Sequence, residues 1–215
     1  MPIFATMCVG DEFISNYQNT ANEISEQIPL HILTDKTESF PSAITHEYNK
    51  TFSYYDKLYF IFMLAEKFNE RVIFVDVDWL ENLNLNLKLD DTSVYTYKLF
   101  DLNSENILTK HFGDDEKMLQ KKLPKLIESN NILDTYIAEA FISIPKLKNI
   151  EDYIWDLKLL ESSIKDIYTT LNRNPRFSRY IKYGDGYGEG WALTTIVNKY
   201  NLSIKEIDWR KEKII

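Results

Sequence analysis

Apolar and polar positions along this chain follow two periods. Residues 3–9 form a short apolar run closed by Gly10, which predicts a first strand. A polar, helix-compatible segment then runs from Gly10-Asp11 to about Gln27, and Pro29 breaks it. Leu30–Thr34 reads as a second strand ending at Asp35, and residues 36–53, rich in Thr, Ser, Asn and Pro, read as a connection. From Tyr55 to Asn69 the apolar residues Leu58, Ile61, Phe62, Ala65 and Phe68 recur at helical spacing. A third strand, Val72–Val75, follows. The order strand, helix, strand, helix, strand implies a parallel sheet with right-handed crossovers.

The second half is less regular. Residues 83–89 alternate Leu with Asn and Lys, which suits a half-buried strand or an extended loop. Residues 93–100 and 136–144 read as strands, the latter closed by Pro145. Residues 114–129 read as a helix with Leu119, Leu123 and Leu126 on one side, kinked or split by Pro124. The clearest helix is Ile150–Leu171, where Ile150, Ile154, Leu157, Leu160, Ile164, Ile167 and Leu171 form one stripe. Residues 183–190 carry four of the six glycines, a short helix spans 191–200, a last strand spans 204–209, and 210–213 form a solvated basic tail. There is no internal repeat and no low-complexity linker. The pattern is that of one α/β domain with a Rossmann-like, mostly parallel central sheet flanked by helices.

Composition narrows the function classes. The 215 residues fit one good-sized domain, and 44% hydrophobic with 27% charged residues supports a packed core. A net charge of −8, with both signs interspersed, argues against binding nucleic acid or anionic membrane. Cys8 is the only cysteine, which excludes an intrachain disulfide and fits a reducing compartment. The start of the chain lacks a basic leader, and no apolar run reaches membrane-spanning length. The expected location is the cytosol, or the host cytosol for a viral chain.

The chemistry concentrates at Asp76 and Asp78. They close an apolar strand, at the sheet rim where open α/β sheets bind ligands. In an extended segment, side chains at i and i+2 share a side, so both carboxylates would face one ion. Paired carboxylates repel and resist desolvation, and a hard cation such as Mg²⁺ or Mn²⁺ relieves both costs. The bland alternative is two strand-end carboxylates capping a turn. Hydrophobic-Asp-X-Asp also opens the haloacid-dehalogenase phosphatases, but those continue with Gly-Thr near the chain start, whereas Trp79-Leu80 follows here.

Tyr55-Asp-Lys-Leu, followed by Phe68-Asn-Glu-Arg-Val-Ile-Phe-Val-Asp-Val-Asp-Trp-Leu80, resembles the core of GT-A-fold glycosyltransferases: a Lys-bearing helix, then a strand ending in Asp-X-Asp. The element order is similar to the retaining branches that include the blood-group transferases and glycogenin-like enzymes. Ala5 to Gly10 resembles their first strand, His31 to Asp35 their second, Ala138 to Ile144 an acceptor-side strand, and Glu189-Gly-Trp-Ala-Leu193 the acidic segment that opens a late helix. The resemblance covers most of the chain through short motifs. It implies a GT-A-like domain, with about 1–100 binding a nucleotide sugar and about 101–215 forming the acceptor and catalytic part. The implied activity is metal-dependent, hexosyltransferase-type transfer from a donor such as a UDP-sugar to an unknown acceptor.

The resemblance also implies residue roles. Asp76 and Asp78 would hold Mn²⁺ or Mg²⁺ against the donor diphosphate, with Asp76 reaching toward the ribose. Ala5 and Thr6 would border the nucleoside, Asp35 would contact base or ribose, and Lys57 would lie near the diphosphate. Asp185 and Glu189 are the candidate catalytic carboxylates, and Glu139 and Trp191 the candidate acceptor residues. Bland readings stand beside these: Lys57 as a helix-surface lysine, Glu189 as a helix cap, Trp191 as a core residue. The chain departs from the pattern in two places. Its histidines, His31, His46 and His111, all precede the Gly-rich segment, so none supplies the late third metal ligand of glycogenin-like enzymes. Glu139-Ala140 replaces the usual Asn-Ser-Gly. The rival readings are a nucleotidyltransferase, disfavoured by the acidic Gly10-Asp-Glu, and a non-enzymatic, transferase-like nucleotide-binding protein.

Overall fold

Four consecutive β-branched or aromatic residues, Val72–Val75, leave no polar face, so a strand built from them must be covered on both sides. In the computed structural model, which describes residues 2–83, 87–102, 114–129, 133–138, 140–171 and 188–207, all four are buried. They form β4 at the centre of a seven-stranded sheet. Its strands are β1 (Ile3–Met7), β2 (Leu30–Thr34), β3 (Ile44–Glu47), β4, β5 (Val94–Thr96), β8 (Phe141–Ile144) and β9 (Ile204–Glu206), in the order β3-β2-β1-β4-β8-β5-β9. Neighbouring pairs are parallel except β4–β8 and β5–β8, so β8 alone runs against the others. The architecture is α/β with a mostly parallel, mixed sheet. A two-stranded ribbon, β6 (Leu99–Asp101) with β7 (Thr135–Ile137), lies beside it.

Helices cover both faces. On one, Ile14 and Ala21 of α1 (Asp11–Ser25) pack with Phe4, Ile32, Ile73 and Val75. On the other, Ala5, Val72 and Phe74 meet α2 (Tyr55–Phe68), α3 (Asp114–Leu126), α4 (Ile150–Leu171) and α5 (Gly188–Lys199). Burying one side chain the size of Phe74 contributes about 1.5–3 kcal/mol. The α4 stripe behaves as its periodicity requires: Ile150, Leu157, Leu160 and Ile164 are buried, with Ile154 and Ile167 packed against them. Among the described residues no helix is long and apolar enough to cross a membrane.

Five stretches differ from the sequence pattern. The connection at 36–53 contains a 3₁₀ turn, Thr37–Ser39, and the edge strand β3, whose mixed Ile-Thr-His-Glu composition hides it. Residues 93–100 and 136–144 each break, giving β5 and β6, and β7 and β8. The breaks meet: Ala138 N–H donates to the Lys98 carbonyl (3.1 Å) and the Thr96 hydroxyl to the Ala138 carbonyl (2.7 Å). There the chain leaves the main sheet for the ribbon, a long-range event that strand periodicity does not encode. Helix α3 runs on through Pro124 to Leu126 without splitting, and Ile127 rather than Leu126 is buried at its end. Helix α5 begins at Gly188, inside the Gly-rich segment.

The sheet's N-terminal rim is closed by a saturated network. Arg71, just before β4, donates to Ser143 Oγ (2.7 Å) and to the carbonyls of Ser93 (3.0 Å) and Asp90. The Asp90 carboxylate accepts from the Thr92 and Ser93 N–H groups, their hydroxyls, the Tyr95 hydroxyl (2.6 Å) and Lys205 (2.7 Å). These bonds hold Asp90 far below the usual carboxylate range, Lys205 and Tyr95 most of all.

Candidate functional site

The opposite, C-terminal rim gathers charge around Lys57. Asp76 directly follows β4, and its N–H donates to the Ala140 carbonyl at 2.9 Å. The chain then turns into a 3₁₀ helix, Val77–Asn82, whose Trp79 N–H returns to the Asp76 carbonyl (2.9 Å). The extended segment therefore stops at Val75, which corrects the expectation that Asp76 and Asp78 share a strand face. Asp76 is the half-exposed residue before the turn, and Asp78 stands exposed in the turn itself. They remain close enough that Asp78 acts on the Asp76 charge.

Lys57 sits in the first turn of α2. A cation is unfavourable at that end of a helix, where the dipole is positive, so a surface lysine would gain nothing there. Lys57 is instead buried and lies between two carboxylates, with Nζ 3.4 Å from Glu189 Oε1 and 3.7 Å from Asp76 Oδ1. Its neighbour Asp56 faces away, accepting from the Tyr48 hydroxyl (2.7 Å) and pairing with Lys50.

Glu189 stands in the first turn of α5, where the dipole favours an anion. It is 2% exposed, and among the described residues its Oε2 has no hydrogen-bond partner. The carboxylate therefore faces Lys57 instead of capping its own helix. Gly188 makes this approach possible: a Cβ there would collide with the Tyr55 hydroxyl and lie 2.9 Å from Cγ2 of Ile164. The first turns of α2 and α5 are thus pressed together, bringing Lys57 and Glu189 into register. The sequence carried one sign of this, a glycine directly before an acidic residue at a helix start.

Loss of water around the Asp76 carboxylate pushes its pKa above the ordinary value. Lys57 pulls the other way, while Asp78 and Glu189 reinforce the rise. A divalent cation at Asp76 and Asp78 would relieve that penalty, and two accessible carboxylates suit Mg²⁺ or Mn²⁺, which keep several waters and take phosphate oxygens. Among the described residues no group of three or more His, Cys, Asp or Glu forms a fuller ligand cage. The donor set fits a cation shared with a phosphate better than a closed metal centre.

The other expected site residues divide sharply. Asp35 is exposed at the end of β2, two strands from β4, and one oxygen accepts from the Gly10 N–H at 3.0 Å. Ala5 and Thr6 are buried within β1, at 1% and 0% exposure. Trp191 is 1% exposed and packs edge-on against Tyr136 at 5.2 Å, which makes it a core residue and not an acceptor platform. Asp185, Glu139 and His111 lie outside the described residues. Cys8 is fully buried, and burial, with Asp35 adding, pushes its thiol up to about 12, as an inert core residue requires. Sequence reading missed the half-buried rim pair Trp79 and Tyr97, 5.0 Å between ring centres, because the turn after β4 and the bend after β5 meet only in the folded chain.

No protein-family model matches the chain, and no curated protein matches it either.

Proposed function

We propose that this protein is a metal-dependent glycosyltransferase of GT-A type that moves a sugar from a nucleotide donor, a UDP-sugar in the first instance, to an acceptor. The observation that carries the reading is the buried Lys57 set between Asp76 and Glu189 at the C-terminal rim of a mostly parallel sheet. Open α/β sheets bind ligands at that rim. The likeness of residues 55–80 to the donor-binding core of that family supplies the reaction class, because a fold of this kind hosts many chemistries.

In this reading Asp76 and Asp78 hold Mn²⁺ or Mg²⁺ against the donor diphosphate. When bound, the cation acts as a Lewis acid that neutralises charge on the departing diphosphate. Lys57 adds a second positive charge from the protein side, and the low exposure around it strengthens its pull on phosphate oxygens. Trp79 and Tyr97 offer aromatic surface beside the carboxylates.

Calorimetric titration with UDP, GDP and CDP, with and without Mn²⁺, tests this. UDP should bind in a Mn²⁺-dependent manner, and Asp78→Asn should remove the dependence while preserving the fold. No Mn²⁺-dependent gain with any of the three nucleotides overturns the proposal.

A further inference from the structure

A buried carboxylate that serves structure alone is normally saturated, and this protein contains such a case. Asp156 on α4, its side chain 4% exposed, accepts from Lys199 Nζ at 2.7 and 2.8 Å and from the Tyr200 hydroxyl at 2.9 Å. Glu189 is equally buried but far from saturated. Its Oε1 lies 3.4 Å from Lys57, longer than the roughly 2.7–2.9 Å of a charge-assisted hydrogen bond, and its Oε2 has no partner among the described residues. A buried carboxylate kept beside a cation with one oxygen unmatched points to a task performed through that cation.

The two acids around Lys57 also differ in access. The Glu189 side chain is 3% exposed and the Asp76 side chain 35%. Asp76 can exchange Lys57 for another cation from solvent, whereas Glu189 is enclosed and keeps it. We infer that Glu189 is a positioning residue: it retains the Lys57 ammonium at the rim when Asp76 is drawn to a divalent cation, so that Lys57 faces the diphosphate of the donor. This rests on the donor-site reading given above. It differs from the catalytic role that sequence suggested for Glu189, because the carboxylate acts through Lys57 and touches no reacting atom.

The two roles separate experimentally. Mn²⁺-dependent UDP binding is measured by calorimetry for the unaltered protein, Glu189→Gln, Glu189→Asp, Lys57→Met and the Glu189→Gln/Lys57→Met double variant, with circular dichroism confirming the fold of each. The positioning role requires Glu189→Gln to weaken UDP binding at least about tenfold. Glu189→Asp, which keeps the charge, should recover part of the loss. In the Lys57→Met background, Glu189→Gln should change UDP affinity less than twofold. Undiminished UDP binding in Glu189→Gln, with slowed UDP-sugar hydrolysis alone, overturns positioning in favour of a direct catalytic role. Equal, additive losses in both backgrounds overturn it too, and if Glu189→Gln does not fold, the Glu189→Asp and Lys57→Met comparison decides by the same criterion. If the unaltered protein shows no Mn²⁺-dependent UDP binding, it is the donor-site reading that falls.

Discussion

The two rims of the sheet carry similar charges and use them in opposite ways. At the N-terminal rim, Arg71 and Asp90 spend their polar capacity on neighbours from β5, β8 and β9, at hydrogen-bond distance. At the C-terminal rim, Lys57 stands 3.4 and 3.7 Å from its two carboxylates, and one buried oxygen of Glu189 is unmatched among the described residues. Saturation is what a structural clamp needs, since each satisfied group offsets its own desolvation. An unmatched buried carboxylate oxygen leaves capacity that a structural clamp would have used. The difference locates the candidate site independently of any motif.

Removing the cation at either rim should break the comparison most visibly. Lys57→Met leaves Glu189 buried without a counter-charge and should cost about 3–5 kcal/mol in urea denaturation. Much of that should return when Glu189→Gln is added, and a double variant no more stable than Lys57→Met would show that the pair is not the source. Arg71→Ala should cost about 3 kcal/mol, because it orphans two carbonyls and the Ser143 hydroxyl. Its folded fraction should bind UDP with Mn²⁺ as the unaltered protein does; a large loss of binding would join the two rims into one functional unit.

Acid separates them further. His31 and His46 stack between β2 and β3 with ring nitrogens 2.9 Å apart, flanked by Phe60, Phe68 and Lys67. Burial, then His46, then Lys67 lower the His31 pKa to about 4, and burial followed by Lys67 lowers that of His46. The folded state therefore keeps both rings neutral. The His31 contribution is complete above the unfolded value of about 6.5 and declines as pH falls toward about 4, because only the unfolded chain takes up the proton, and the lowered His46 pKa acts in the same direction. His31 should account for a loss of about 3 kcal/mol over that window, and His31→Phe should remove that share. The lowered Asp90 pKa works in the next window down: its support is present above its ordinary value of 3.8 and lost as pH falls further. A stability curve without a step between pH 6.5 and 4 would remove the histidine pair from this account. The smallest stability effect belongs to Asp78→Asn. Asp78 is exposed, so the change should stay within about 0.5 kcal/mol even as Mn²⁺-dependent UDP binding disappears.

Some of this was legible in the chain. The four-residue run of β4 and the α4 stripe from Ile150 to Ile167 predicted that they face the core, because hydrophobic period and solvent exclusion are the same fact seen twice. The edge strand β3 was not legible, since its residues are half exposed and their pairing with β2 uses backbone groups that every sequence has. Nor were the breaks at 97–98 and 138–140, which follow from β5 and β8 reaching the end of the main sheet together.

The site divides along the same line. Asp76 and Asp78 announced themselves, because two carboxylates after an apolar strand are chemically conspicuous wherever the chain goes. The fate of Trp191 as core and of Ala5 and Thr6 as enclosed strand residues depended on which helices cover them. The pairing of Lys57 with Glu189 joins residues 132 positions apart by sequence number, and only the close crossing of α2 and α5 at Gly188 brings them together. Composition and period fixed the α/β class, the central strand and the acidic rim, because those follow from local burial. The counter-ion of Lys57 was decided by tertiary structure alone, because a buried charge is matched through space and not along the chain.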